Sequence, residues 1–249
     1  MTTRLVLFDI DGTLLRNGNR VHGRAIVQAS TEITGHDITQ HFGQIDAGGR
    51  TDRYIVSELL RRCDMTETEI DEAFRHIAER SVELTGAGLA TRDPAWVLEG
   101  ARELVSGFQS AQVPVGLVTG NLPKIAQIKL ECAELWLPFA TKDPLISGYG
   151  DLSENRNDLS AAAFQQARQH LNAELDPRNV LVVGDTPRDV ECAHAIGARC
   201  LGVTTGRFSA DDLAAKNCDI IVSSLSEVSV DELWTLPLTT WLRGLEVGW

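Results

Sequence analysis

Apolar and polar positions along this chain fall into two textures. The opening, Arg4-Leu5-Val6-Leu7-Phe8-Asp9-Ile10-Asp11-Gly12-Thr13-Leu14-Leu15, sets an apolar run dense enough for a strand buried on both faces directly against two carboxylates. The same texture returns in the second half. Val113 to Val118 runs into Thr119-Gly120-Asn121, and Asn179 to Val183 runs into Gly184-Asp185-Thr186-Pro187-Arg188-Asp189. Cys200 to Val203 and Asp219 to Val222 read as shorter strands. Helices are predicted between them, one after Asn121 through about Glu134 and one over Leu159 to Leu171. Strands alternating with helices imply a parallel sheet.

The stretch from His22 to about Thr91 is different. Ile70, Ala73, Phe74, Ile77, Ala78 and Leu84 recur near helical spacing, and Thr66 to Glu69 resembles a capping box ahead of them. Tyr54, Ile55, Leu59 and Leu60 form a second stripe, and no strand is predicted. A Gly-rich loop, Gly43 to Asp52, interrupts the region. Polar, Gly-containing text at Arg16 to Arg20, and Gly86-Ala87-Gly88 with Asp93-Pro94, supply candidate hinges at its ends. Sheet-forming text thus begins, stops for a helical insertion and resumes. The expected fold is a doubly wound, Rossmann-like α/β core (1–16 and 95–249) with an inserted α-helical cap domain (17–94).

Composition narrows the function. A chain of 249 residues with 43% hydrophobic and 23% charged residues suits one large domain, or a core with a smaller one. No stretch approaches the roughly 18 apolar residues of a membrane helix, and the N-terminal text is not that of a signal peptide. The five cysteines are scattered, odd in number and never in a Cys-x-x-Cys pair. That argues against a disulfide framework or zinc site and for a reducing, cytoplasmic setting. A net charge of -12 disfavours nucleic acid as a partner. An anionic substrate would then need cations gathered locally, from a metal and a few Arg or Lys. Trp234, Trp241 and Trp249 crowd the C-terminal tail, where packing on the core is the plainer reading and an interaction surface the alternative.

In a parallel sheet the carboxyl ends of the strands share one edge, where open α/β sheets bind ligands. Asp9 and Asp11, Thr119 to Asn121, and Asp185 with Asp189 all fall at such ends. Paired acids there make a hard-cation site, and one can also serve as a nucleophile. Read singly, each piece has a blander meaning. Asp-Gly is common in turns, Asp185 is a turn residue before Pro187 at a helix start, and Asn121 caps a helix with Pro123 in its first turn.

Together, and in this order, they resemble the first, second and fourth motifs of the haloacid dehalogenase superfamily, whose members are mostly magnesium-dependent phosphatases. The string Asp9-Ile10-Asp11-Gly12-Thr13-Leu14 carries the likeness most strongly, and the helical insertion resembles the cap of the phosphoglycolate-phosphatase-like branch. The resemblance implies that Asp9 is the nucleophile, forming an aspartyl-phosphate, and Asp11 the general acid and base. Mg²⁺ would take the side chains of Asp9 and Asp185 and the main-chain carbonyl of Asp11, with Asp189 behind them orienting the Asp185 loop. Thr119, Gly120 and Asn121, with Gly12, would bind the phosphoryl group. The family's third motif is normally a Lys, often followed by Pro. No Lys-Pro occurs between Asn121 and Gly184, and Arg156 in Ser153 to Leu159 is the candidate replacement, bearing both catalytic and phosphate-binding roles. Lys129 and Lys142 are rivals, each with a surface position as its plainer reading. Arg20, His22, Arg24, Arg50, Thr51 and Asp52 are candidates to face the site from the cap, although a solvated surface is the plainer reading for each. The implied activity is hydrolysis of a small phosphorylated metabolite by a monomer or homodimer, with phosphoglycolate a family-level example. A phosphomutase of the same superfamily, or a non-catalytic phosphate-binding protein on this scaffold, are the alternatives.

Overall fold

The computed structural model describes residues 3–17, 20–89, 93–140, 145–235 and 241–242. The chain opens with β1 (Leu5–Phe8) and then runs through four helices, α1 (Val21–Thr34), α2 (Thr39–Phe42), α3 (Asp52–Arg61) and α4 (Glu67–Gly88). Helix α5 (Ala101–Ser110), β2 (Val115–Val118), α6 (Pro123–Cys132), β3 (Ser147–Gly148) and α7 (Arg156–His170) follow. The last third holds β4 (Val180–Gly184), α8 (Pro187–Ala195), β5 (Arg199–Val203), α9 (Ala210–Ala214), β6 (Ile220–Val222), α10 (Val230–Thr235) and β7 (Trp241–Leu242). The strands form one parallel sheet in the order β3-β2-β1-β4-β5-β6-β7.

Alternation in β1 builds the double winding. Val6 and Phe8 join the apolar cluster packed under α5 and α6, whereas Leu5 and Leu7 join the cluster under α7 and α8. Phe8 meets Phe108 and Phe139 edge to face, with centroids 6.1 Å from each. Burying a side chain of this size contributes roughly 1.5–3 kcal/mol. Strand β1 is thus anchored on both faces, and its carboxyl end is rigid. It also lies between β2 and β4, where the strand order reverses, so the loops after β1, β2 and β4 converge above it.

The helical insertion has an apolar cluster of its own, built from Ile26, Ala29, Ile55, Leu59, Ile70, Phe74 and Ile77, among others. Leu122 and Ile125 of the core belong to the same cluster, so the cap rests on the start of α6. The capping box at Thr66 and Glu69 forms as its spacing predicts, and Thr51 caps α3 by accepting a hydrogen bond from the Tyr54 amide. The fold is therefore a doubly wound α/β core with an inserted α-helical cap. No described helix is long and apolar enough to cross a membrane. Of the tail tryptophans, Trp234 packs against the core with Arg4 stacked on its ring, and the backbone at Trp241 extends the sheet. Trp249, Lys142 and the hinge positions Gly18, Asn19 and Thr91 lie outside the described residues.

Candidate active site

Asp9 follows β1 and continues its ladder, donating its amide to the Val183 carbonyl (2.9 Å). Gly12 adopts a positive φ of 87°, and a Cβ there would collide with the Asp185 carboxylate, as would one on Gly206. Two glycines therefore let Asp185 approach the turn after β1, where Thr13 Oγ1 donates to it at 3.5 Å. Thr186 caps α8, Pro187 takes its first position, and Asp189 closes the capping box. The turn-and-helix reading of this segment is thus correct, and it is also the device that aims Asp185 at Asp9.

Arg156, the first residue of α7, reaches Asp9. Its Nη2 donates to Asp9 Oδ1 (2.7 Å), Asp189 Oδ1 (2.6 Å) and the Val118 carbonyl (3.1 Å). Its Nη1 donates to the Gly49 carbonyl in the cap loop (3.2 Å), which places one guanidinium between Asp9 and the cap. One oxygen each of Asp9, Asp185 and Asp189 lies within 4.8 Å of the others, a grouping able to hold a metal ion. Both Asp189 oxygens already have donors, Arg156 on Oδ1 and the Thr186 amide and hydroxyl on Oδ2. Asp9 and Asp185 are the two left short of positive charge. Burial, with the nearby Asp189 and Asp11 charges, pushes the Asp9 carboxyl up to about 7 in spite of Arg156. Burial, with Asp9 and Asp189 beside it, pushes Asp185 up to about 9. The donor set fits a hard divalent cation: oxygen ligands, an excess of negative charge and one buried Arg.

Asp11 sits differently. Its Oδ2 accepts from Lys129 Nζ (2.6 Å) and from Asn121 Nδ2 (2.8 Å), and Lys129 Nζ also donates to Asn121 Oδ1 (2.7 Å). Burial raises its carboxyl, but the Lys129 charge and these hydrogen bonds outweigh burial and hold it below the usual carboxylate range. Asn121 Nδ2 donates to Thr119 Oγ1 as well (2.7 Å), as does the Asn121 amide (3.3 Å). Two donors on that hydroxyl oxygen leave its own proton free to donate outward.

Two expectations are corrected here. Asn121 is not the cap of α6: Leu122 takes that position without a side-chain cap, because the Asn121 amide is engaged with Asp11, Lys129 and Thr119. Lys129 is not a surface cation: it is buried on the same face of α6 as Ile125, Ala126 and Leu130.

A cavity of about 580 Å³ opens over these groups, lined by Asp9, Asp11, Thr119, Gly120, Asn121, Arg156 and Asp185 from the core. The cap and its link contribute Arg20, His22, Gly49, Arg50 and Asp52, and the core loop after β5 adds Arg207 and Phe208. The solvated reading of His22, Arg50 and Asp52 is therefore also corrected, whereas Arg20 is exposed at the rim as that reading has it. Arg24 lines a separate groove, and Thr51 is spent on capping α3. Asp52 ties the seam together. Its amide donates to the Gly120 carbonyl (2.7 Å), its carboxylate accepts from the Leu122 amide (2.8 Å), and His22 Nε2 lies 3.0 Å from it. Arg188 donates to the Gly48 carbonyl (2.6 Å) and pairs with Asp46, which Arg207 also engages. The cap loop is thus fastened across the mouth of the site by polar contacts.

Residues 3–197 match the family model described as haloacid dehalogenase-like hydrolase. The chain is 24% identical over 234 residues to a phosphoglycolate phosphatase of Pseudomonas putida, covering 89% of this chain and 77% of that protein. It is 25% identical over 227 residues to the validoxylamine A 7'-phosphate phosphatase of Streptomyces hygroscopicus, covering 90% and 95% of the two chains. Among solved structures, a β-phosphoglucomutase from Clostridium difficile superposes with a TM-score of 0.66 at 15% identity, over 94% of this chain and 96% of that one.

Proposed function

The chain belongs to the haloacid dehalogenase-like hydrolase family, and on that premise we propose that it is a Mg²⁺-dependent phosphatase. It hydrolyses a small phosphorylated metabolite through an aspartyl-phosphate on Asp9, with residues 17–94 as the cap that closes over the substrate. The observation that carries this reading is the meeting of Asp9, Arg156, Thr119 and Asp185 at one end of a buried central strand, inside a cavity of small-metabolite size. The phosphatase names of the curated relatives support it.

Arg156 holds Asp9 by Oδ1, which leaves Oδ2 to attack phosphorus. As the new O–P bond forms, the ester P–O bond breaks, and its electron pair leaves on the substrate oxygen with a proton from Asp11. The phosphoryl oxygens are met by the Thr119 hydroxyl, the amides around Gly120 and the Arg156 charge. Asp11 then takes a proton from the water that attacks the aspartyl-phosphate, regenerating Asp9 and releasing phosphate. The carboxylates of Asp9 and Asp185 and the main-chain carbonyl of Asp11 would hold Mg²⁺, which would supply positive charge to offset both the acids and the phosphate. The loop over the mouth keeps water out while Asp9 reacts.

The test is inorganic phosphate release from a panel of small phosphorylated metabolites, with Mg²⁺ and with chelator. Release that needs Mg²⁺ is the expected result. Release undiminished by chelator contradicts the metal assignment, and isomerised product without net phosphate identifies a mutase instead.

A further inference from the structure

The family pattern relies on one third-motif cation, yet two buried cations enter this site from different helices. Arg156 on α7 serves Asp9, and Lys129 on α6 serves Asp11. Only the first is explained by the phosphatase reading, on which the inference below rests.

Lys129 sits on the apolar face of α6, and its side chain is 4% exposed. Its ammonium spans Asp11 Oδ2 and Asn121 Oδ1, while the Asn121 amide nitrogen returns to the same Asp11 oxygen. The three side chains form a closed triangle in which every bond is 2.8 Å or shorter. Both donors land on Oδ2, and among the described residues none is aimed at Oδ1. Asp11 is nevertheless part of the cavity wall. A carboxylate held by two donors on one oxygen can exchange a proton with a reactant only through the other. We infer that Lys129 is a positioning residue for the acid and base steps: with Asn121 it clamps Asp11 by Oδ2, so that Oδ1 alone meets the leaving group and then the attacking water. Without the clamp the carboxylate would be free to rotate away from the reacting oxygen, and a misplacement of this kind is costly in a proton transfer. The work of one cation is thereby divided, Arg156 holding the nucleophile and Lys129 holding the acid.

The test separates this role from a purely structural ion pair by its dependence on the leaving group. An alkyl phosphate such as glycerol 2-phosphate needs its departing oxygen protonated, whereas p-nitrophenyl phosphate departs as a stable anion. Lys129→Met is expected to lower kcat/KM for the alkyl ester about 10²-fold, at the lower end of what general acid catalysis supplies. Its loss on the aryl ester is expected to be at least about ten times smaller, and Lys129→Arg, which keeps the cation, recovers part of the alkyl activity. If Lys129→Met does not fold, Lys129→Gln, polar but uncharged and shorter, also opens the clamp and should show the same asymmetry. Equal losses on both esters, in whichever variant folds, overturn the inference and leave the phosphatase reading standing. Wild-type protein inert toward both esters overturns that reading and this inference with it.

Discussion

Asp9 and Asp11 stand two residues apart at the end of one strand, yet they occupy opposite electrostatic settings. On the Asp9 side, three acids share one arginine, and burial with mutual repulsion pushes Asp9 and Asp185 well above the usual carboxylate range. On the Asp11 side, one acid has a lysine to itself and lies below that range. The first region is short of positive charge and the second is already balanced. A divalent cation and a phosphate would find uncompensated charge only beside Asp9, while Asp11 is held as a carboxylate by Lys129 and Asn121.

The difference is sharpened by removing charge from each side in turn. Asp185→Asn takes one acid from the under-neutralised side without touching Asp11. Its expected outcome is the largest, loss of Mg²⁺ binding by titration calorimetry and a fall in kcat of about 10³-fold, since metal stabilisation of the transferring charge is worth several kcal/mol. Mg²⁺ binding of wild-type strength in that variant would break the comparison. Arg156→Lys should do less, a loss on the order of ten-fold in kcat/KM against about 10³-fold for Arg156→Ala. Lysine keeps the charge on Asp9, but as a point charge it cannot also span Asp189 and the Gly49 carbonyl as the guanidinium does. Steady-state kinetics on one substrate decide this, and equal losses in the two variants would mean that the planar fork, not the charge, is what Asp9 needs. The Lys129 series probes the balanced side and completes the ranking, because its effect shows mainly on leaving groups that need a proton.

Much of this was legible in the chain. Leu5–Phe8, Val115–Val118 and Val180–Gly184 are short apolar runs bounded by turn residues, the text of buried strands, and each leads into the polar residues that the sheet brings together. The capping box at Thr66 was legible because it is local, fixed by the spacing of two residues. Arg156 could be assigned only through the family resemblance, since nothing near Asn155 or Asn157 announces a partner 147 residues away. Lys129 was harder. Its signal is a cation on the same helical face as Ile125, Ala126 and Leu130, a position where an unpaired charge is costly and a partner is implied. Periodicity exposes that anomaly but does not identify Asp11 as the partner. Arg50, His22 and Asp52 were legible as candidates only, because whether they face solvent or the site depends on how the cap docks. That docking is set by main-chain contacts such as Asp52 to Gly120 and Arg53 to Gly150, which no side-chain pattern encodes.

The account rests most heavily on Asp9 as the atom that receives the phosphoryl group. Acid quench of the enzyme during turnover with Mg²⁺ and a substrate from the panel, followed by mass spectrometry of its peptides, tests this directly. One added phosphoryl group is expected on the peptide containing Asp9, absent from substrate-free enzyme and from Asp9→Asn, which should also have lost turnover. Normal turnover by Asp9→Asn, or a phosphoryl group on any other residue, would contradict it.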